Sequence, residues 1–171
     1  MSTEAAAVRR VAGLRHHWVI YVALAFMGGL LTFVGAMAEQ KATDDATFRK
    51  LTDAYCVAWS SGNADNAAKF YDKANGLVFY DVAPFSYGSW KEYQSDAQKF
   101  LNAGSSVTLT AGKELKVTRH GNLAWTTVPM HLSEKLKDGK EVEVNLRYTG
   151  IWEKRGKTWL LVHEHISAPL T

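Results

Sequence analysis

One cysteine stands in 171 residues, so no disulfide can form within the chain and the fold must rest on its packed core. That residue, Cys56, lies in a run of helical periodicity and reads as a small buried side chain, the alternative being a reactive thiol. A charge excess is missing as well. Of 20 basic and 17 acidic residues, Arg9, Arg10, Arg15 and Glu4 fall within the first 38, which leaves a formal +1 on the rest. A near-neutral domain gives no reason to expect nucleic acid or an acidic partner. The sequence has no glycine-rich phosphate loop, no Ser/His/Asp order, no nucleophilic Cys/His set, no repeats and no low-complexity segment.

What is present begins with a charge-free apolar run, "WVIYVALAFMGGLLTFV" (Trp18 to Val34), behind the three arginines. "AMA" (Ala36, Met37, Ala38) then offers the small residues that signal peptidase requires, so residues 1–38 read as a secretory leader. An uncleaved anchor over 18–38 is the alternative, since a bilayer span begins at about 17 residues. Either way the folded part is expected outside the cytoplasm, periplasmic or secreted, touching a membrane only through an uncleaved leader. Residues 39–47 read as a polar lead-in and 48–170 as one domain.

Phe48, Leu51, Tyr55, Ala58 and Trp59 recur at steps of three and four and predict a helix, stopped at "SSGN" (Ser60 to Asn63). A second short helix is expected over Ala64 to Tyr71. "LVFYDV" (Leu77 to Val82) predicts a short strand and "APFSYG" (Ala83 to Gly88) a loop. Ser89 caps a third helix carrying Trp90, Tyr93, Ala97, Phe100 and Leu101. Beyond it, "HGN", "KDGK" and "RGK" punctuate β-rich runs, predicting antiparallel strands at 106–119, 123–136, 141–154 and 158–167, the first bulged near Ala111-Gly112. Helices gathered before an antiparallel meander give an α+β fold with the helices on one face of a curved sheet. The third long strand carries Val142, Val144, Leu146, Tyr148 and Trp152 on one face and Glu143, Asn145, Arg147, Thr149 and Ile151 on the other. The pattern alone does not say which face lines the cone. A polar lining would leave an apolar outer face, and with it a homodimer joined sheet to sheet.

This order of elements, with "GNLAW" (Gly121 to Trp125), "LRYTGIWEKRGKTW" (Leu146 to Trp159) and "LVHEHISAPL" (Leu161 to Leu170), resembles the SnoaL-like group of the NTF2-like superfamily. It is similar to ketosteroid isomerase homologues of the DUF4440 type and to the association domain of calcium/calmodulin-dependent protein kinase II. The resemblance covers about residues 48–170. It implies an NTF2-like cone with three N-terminal helices packed on the sheet, usually dimeric, and a pocket between sheet and helices. It also implies that Arg147, His163 and His165 point inward. The superfamily includes isomerases, cyclases, dehydratases, hydrolases and binding or assembly modules, so the fold does not settle the activity. Of a ketosteroid isomerase's acidic set only Asp81 finds a counterpart here.

His163 and His165 lie two apart on a strand and would share a face, with Glu164 turned away. Two imidazoles invite zinc, but zinc needs a third ligand, and neither His131 nor Asp81 stands at a spacing that forces one; no metal or cofactor is expected. The other readings are a wall with one pocket histidine, or a proton-transfer and anion site in which His163 or His165 acts as base beside Asp81 and Arg147 grips an acid. Tyr55, Trp59, Tyr80, Tyr87, Trp90 and Trp125, with His131, are candidates for the lining, although each aromatic also reads as plain core. The resulting expectation is a pocket for a small, partly apolar acidic or carbonyl compound. The alternatives are a cofactor-independent isomerase, cyclase or hydrolase, and an assembly module without chemistry.

Overall fold

A computed structural model describes residues 36–74 and 76–169; the expected leader falls almost wholly outside them. Two compact units divide the chain, 1–43 and 44–171. In the first, residues 36–43 are helical, and the polar lead-in is therefore not coil. "MAEQKA" (Met37 to Ala42) holds good helix formers and neither glycine nor proline. Among the described residues no helix is long and apolar enough to cross a membrane.

The second unit is a curved sheet with helices on one face. Helix α1 covers 44–60 and buries Phe48, Tyr55, Ala58 and Trp59 of the predicted stripe, with Leu51 half-buried beside them, together with Thr52 and Cys56. The expected second helix is instead two 3-10 turns, Ala64–Asn66 and Ala68–Phe70, the first capped by the Asn63 side chain, which accepts from Asp65 N–H. Helix α2 spans Trp90–Ala103; the Ser89 hydroxyl accepts from Glu92 N–H, and the Glu92 carboxylate accepts from Gly88 N–H at 3.0 Å, satisfying two donors at the helix start.

Strand β1 (Phe79–Tyr80) runs parallel to β6 (Thr158–Ser167); β2 (Gly104–Ala111), β3 (Lys116–His120), β4 (Leu123–Leu136) and β5 (Glu141–Arg155) pair antiparallel, in the order β1-β6-β5-β4-β2, with β3 also on β4. The long first strand expected at 106–119 is thus two strands, both on β4. They part opposite Pro129, which has no N–H to give to a ladder and whose carbonyl instead accepts from Gly112 N–H at 2.8 Å. Gly121, Gly139 and Gly156 take positive φ at the three predicted hairpin turns.

The apolar face of β5 looks inward: Leu146, Tyr148 and Trp152 are buried, whereas Asn145 and Arg147 are exposed. The inward arginine implied by the resemblance is therefore reversed, and the expectation of a sheet-to-sheet homodimer loses the apolar outer face it rested on. Gly150 sits between Tyr148 and Trp152 on this inner face. A β-carbon there would lie 2.6 Å from the Tyr148 hydroxyl and 3.0 Å from both Leu161 Cδ2 and Trp152 Nε1. Gly150→Ala is therefore expected to destabilise by about 1–3 kcal/mol through overpacking, read as a lower urea midpoint at unchanged m-value; an unchanged midpoint contradicts this packing.

Candidate functional site

The inner face of β6 changes parity part-way along. Ile151 pairs with His163 but the next residue, Trp152, pairs with Leu161, so Val162 is an extra residue in the ladder. Such a bulge moves the following side chains to the opposite face. Trp159 and Leu161 are buried before it, Glu164 and Ile166 after it. His163 and His165 consequently face outward, and the residue expected to turn away, Glu164, is fully buried.

Glu164 is held by phenols from three separate segments. Tyr55 on α1 donates to Oε2 at 3.1 Å, and Tyr71 donates to Oε1 at 2.8 Å. Tyr93 on α2 adds a further hydrogen-bonding interaction. Tyr71 is placed by its bridge to Leu161 and by the Asp72 N–H bond to Leu161 O at 2.9 Å; its ring stacks on Trp90 at 4.1 Å. Burial pushes the Glu164 carboxyl up to about 7, and the Asp81 charge adds to the rise, against the pull of Tyr93, Tyr71 and Tyr55. Burial, reinforced by Glu164, also raises the hydroxyls of Tyr55, Tyr71, Tyr93 and Tyr148 well above the usual tyrosine value, which keeps them protonated as donors.

Above this knot lies a cavity of about 320 Å³ between α2 and the sheet. Tyr55, Trp59, Tyr87, Tyr93, Leu109 and Leu146 are among its lining, with the carboxyls of Asp81, Asp96 and Glu134. Among the described residues, no lysine, arginine or histidine belongs to that lining. Asp81 is half-buried and accepts from Val82 N–H at 2.7 Å. Burial raises its carboxyl, opposed by the Val82 N–H and by Tyr93. The buried indole Nε1 of Trp59 has no hydrogen-bond partner among the described residues.

The model of the SnoaL-like domain matches residues 49–171. The chain belongs to the SnoaL-like domain family. No curated protein compared with it matches. An NTF2-like superfamily protein from Salmonella enterica superposes with a TM-score of 0.69 at 16% identity, over 76% of this chain and 94% of that one. An NTF2-like protein of unknown function from Pseudomonas putida gives 0.63 at 19%, over 76% and 89%. The association domain of the C. elegans calcium/calmodulin-dependent protein kinase II gives 0.59 at 14%, over 75% and 98%. At these identities the likeness is one of fold, and the fold of this SnoaL-like domain is NTF2-like.

Within the SnoaL-like domain the expected site residues divide between the two faces of the sheet. Tyr55, Trp59, Tyr87 and Asp81 line the cavity. Trp90 is core, packed on Tyr71 rather than lining the wall. Arg147 is on the outer face, donating to Ala168 O at 3.0 Å, out of reach of a cavity ligand. His163 Nδ1 meets Val78 O at 2.8 Å, and both histidine rings pack edge-on against the half-exposed Tyr80. No hydrogen bond joins either histidine to Asp81, so a His/Asp pair is not assembled. His131 bonds Asn145 at 3.1 Å, and Trp125 stacks on His120 at the surface. Among the described residues no group of three His, Cys, Asp or Glu could hold a metal ion. Glu164, Tyr71 and Glu134 had no place in the sequence-based site. The one signal for Glu164 was its being the single carboxylate of the terminal strand Thr158–Ser167.

The high value of the Glu164 carboxyl has a consequence for stability. Its folded-state value of about 7 lies above the ordinary 4.5, so the folded protein keeps a proton that the unfolded chain releases. The stabilisation is fully present below pH 4.5 and is lost as pH rises through 7, amounting to on the order of 3 kcal/mol. Urea unfolding between pH 4.5 and 8 is expected to show the wild type losing stability with pH relative to Glu164→Gln. Parallel profiles for the two proteins contradict a buried, protonated Glu164.

Proposed function

We propose that this SnoaL-like domain holds a small, largely apolar molecule carrying a hydrogen-bond acceptor such as a carbonyl. The Trp59 side chain carries this reading: it lines the cavity, and its buried Nε1–H has no partner among the described residues, a cost that a turn of the ring toward a ligand's acceptor would remove. The aromatic and aliphatic surround supplies the contact area usual for small-molecule sites. A carboxylic acid, the other half of the sequence-based expectation, finds no cation in the lining.

A second reading is cofactor-independent proton transfer, supported by Asp81. Its carboxyl stands in the wall, is raised by burial, and shares Tyr93 with Glu164. A raised carboxylate beside an apolar ligand suits a general base, a role that passes from the histidines to Asp81. The domain is further proposed to work outside the cytoplasm, on the strength of the Trp18–Val34 run and the Ala36-Met37-Ala38 site.

The binding reading is tested by following the indole N–H resonances while a neutral aryl ketone, acetophenone, is added. The Trp59 signal is expected to shift and saturate, and Trp59→Phe to weaken affinity by about ten-fold, the worth of one hydrogen bond. Surface tryptophans shifting while Trp59 stays fixed would sink the reading. Turnover of a ketone with an exchangeable α-proton, lost in Asp81→Asn with binding retained, would favour the second reading.

A further inference from the structure

Glu134 stands apart from the other carboxyls of the cavity. It is buried, at 6% exposure, and contributes to the cavity lining. Among the described residues no hydrogen bond or ion pair reaches its carboxylate. Its neighbours in the ladder are Val107 on β2 and Val142 on β5, apolar side chains that also line the cavity. Gly104 leaves room for it: a β-carbon there would come within 2.6 Å of Glu134 Oε1. Asp96, by contrast, is neutralised by Lys99 at 2.6 Å. The fold thus places on the cavity wall, beside two valines, a carboxylate that no cation among the described residues pairs with and that a positively charged ligand would meet.

We propose that the ligand of this cavity carries a positive charge: it is a small organic amine, an apolar body bearing an ammonium group that pairs with Glu134. The inference rests on the cavity being the binding site and adds the chemical class of its occupant. An ammonium entering the cavity meets the Glu134 carboxylate and forms a charge-assisted hydrogen bond. The rings of Tyr55, Trp59, Tyr87, Tyr93 and Phe100 offer π faces that attract a cation. The lining places no Lys, Arg or His in its way. The exposed side chains of Val142 and Phe100 put the open end of the cavity near Glu134, so the charged end of the ligand reaches it while the rest of the ligand, with any acceptor it carries, extends inward toward Trp59.

Calorimetry on the full folded protein with three probes of one shape decides the matter: 2-phenylethylammonium, 2-phenylethanol and 3-phenylpropionate. The ammonium is expected to bind at least about ten-fold tighter than the alcohol, with the acid weakest. In Glu134→Gln the ammonium and the alcohol are expected to agree within about two-fold, the alcohol keeping its wild-type affinity. The variant is expected to unfold at the wild-type temperature or above it, because it removes a carboxylate that no described residue bonds to. Equal affinity for ammonium and alcohol in the wild type, or a preference that survives in Glu134→Gln, overturns the amine while leaving the cavity as a binding site. A markedly lower unfolding temperature for the variant overturns it too, by showing that the carboxylate has a structural partner. Absence of binding by all three probes removes the cavity reading and the amine with it.

Discussion

A carboxyl with no access to water sets the terms for this fold. Glu164 lies on the inner face of β6, fully buried, where an unpaired charge would be prohibitive. It is tolerated because it is protonated over part of the pH range and because phenols converge on it from α1, from the segment after the second 3-10 turn, and from α2. Elsewhere these elements meet the sheet largely through apolar contact, which is non-directional, with a few hydrogen bonds such as Leu109 N–H to the Ser60 hydroxyl and Asp72 N–H to Leu161 O. Hydrogen bonds to one carboxyl give the packing a register. Tyr55 cannot slide along the sheet without leaving Oε2, nor Tyr71 without leaving Oε1. The stack of Tyr71 on Trp90 carries the same constraint to the start of α2.

The position of Glu164 depends in turn on one extra residue in β6. Strict alternation from Trp159 would bring His163 and His165 inward and leave Glu164 in solvent, which is the facing the resemblance implies for the two histidines. The bulge at Val162 reverses it. Much else was legible: the α1 stripe, the Ser89 cap, the hairpin turns at Gly121, Gly139 and Gly156, and the meander all follow from periodicity and turn chemistry, which are local. Bulges are set by what the two faces must pack against, and no residue type marks the one at Val162. The same holds for Arg147. Its strand offered two coherent faces, and the choice between them belongs to the helices that cover the sheet. The resemblance pointed the arginine inward; the burial of Leu146, Tyr148 and Trp152 turns it out. Aromatic candidates fared according to their element: Tyr55 and Trp59 on the amphipathic α1 reach the cavity, whereas Tyr80 and Trp125, on strands of ambiguous facing, do not.

Tyr55 and Tyr93 belong at once to the Glu164 knot and to the cavity wall, and this double membership ties occupancy of the site to the core. A hydroxyl that donates to Glu164 is turned away from a ligand, and one that turns to the ligand leaves the carboxyl less satisfied. A molecule in the cavity therefore competes with Glu164 for the same donors, and it shifts the carboxyl's proton affinity upward when it wins. Asp81 enters the same balance, since Tyr93 serves both carboxyls and the charge of one raises the other. A cationic ligand acts in the opposite sense: a positive charge in the cavity favours ionisation of Asp81 and Glu164 together. The sign of the charge on the ligand thus decides whether binding adds protons to the base of the cone or drives them off.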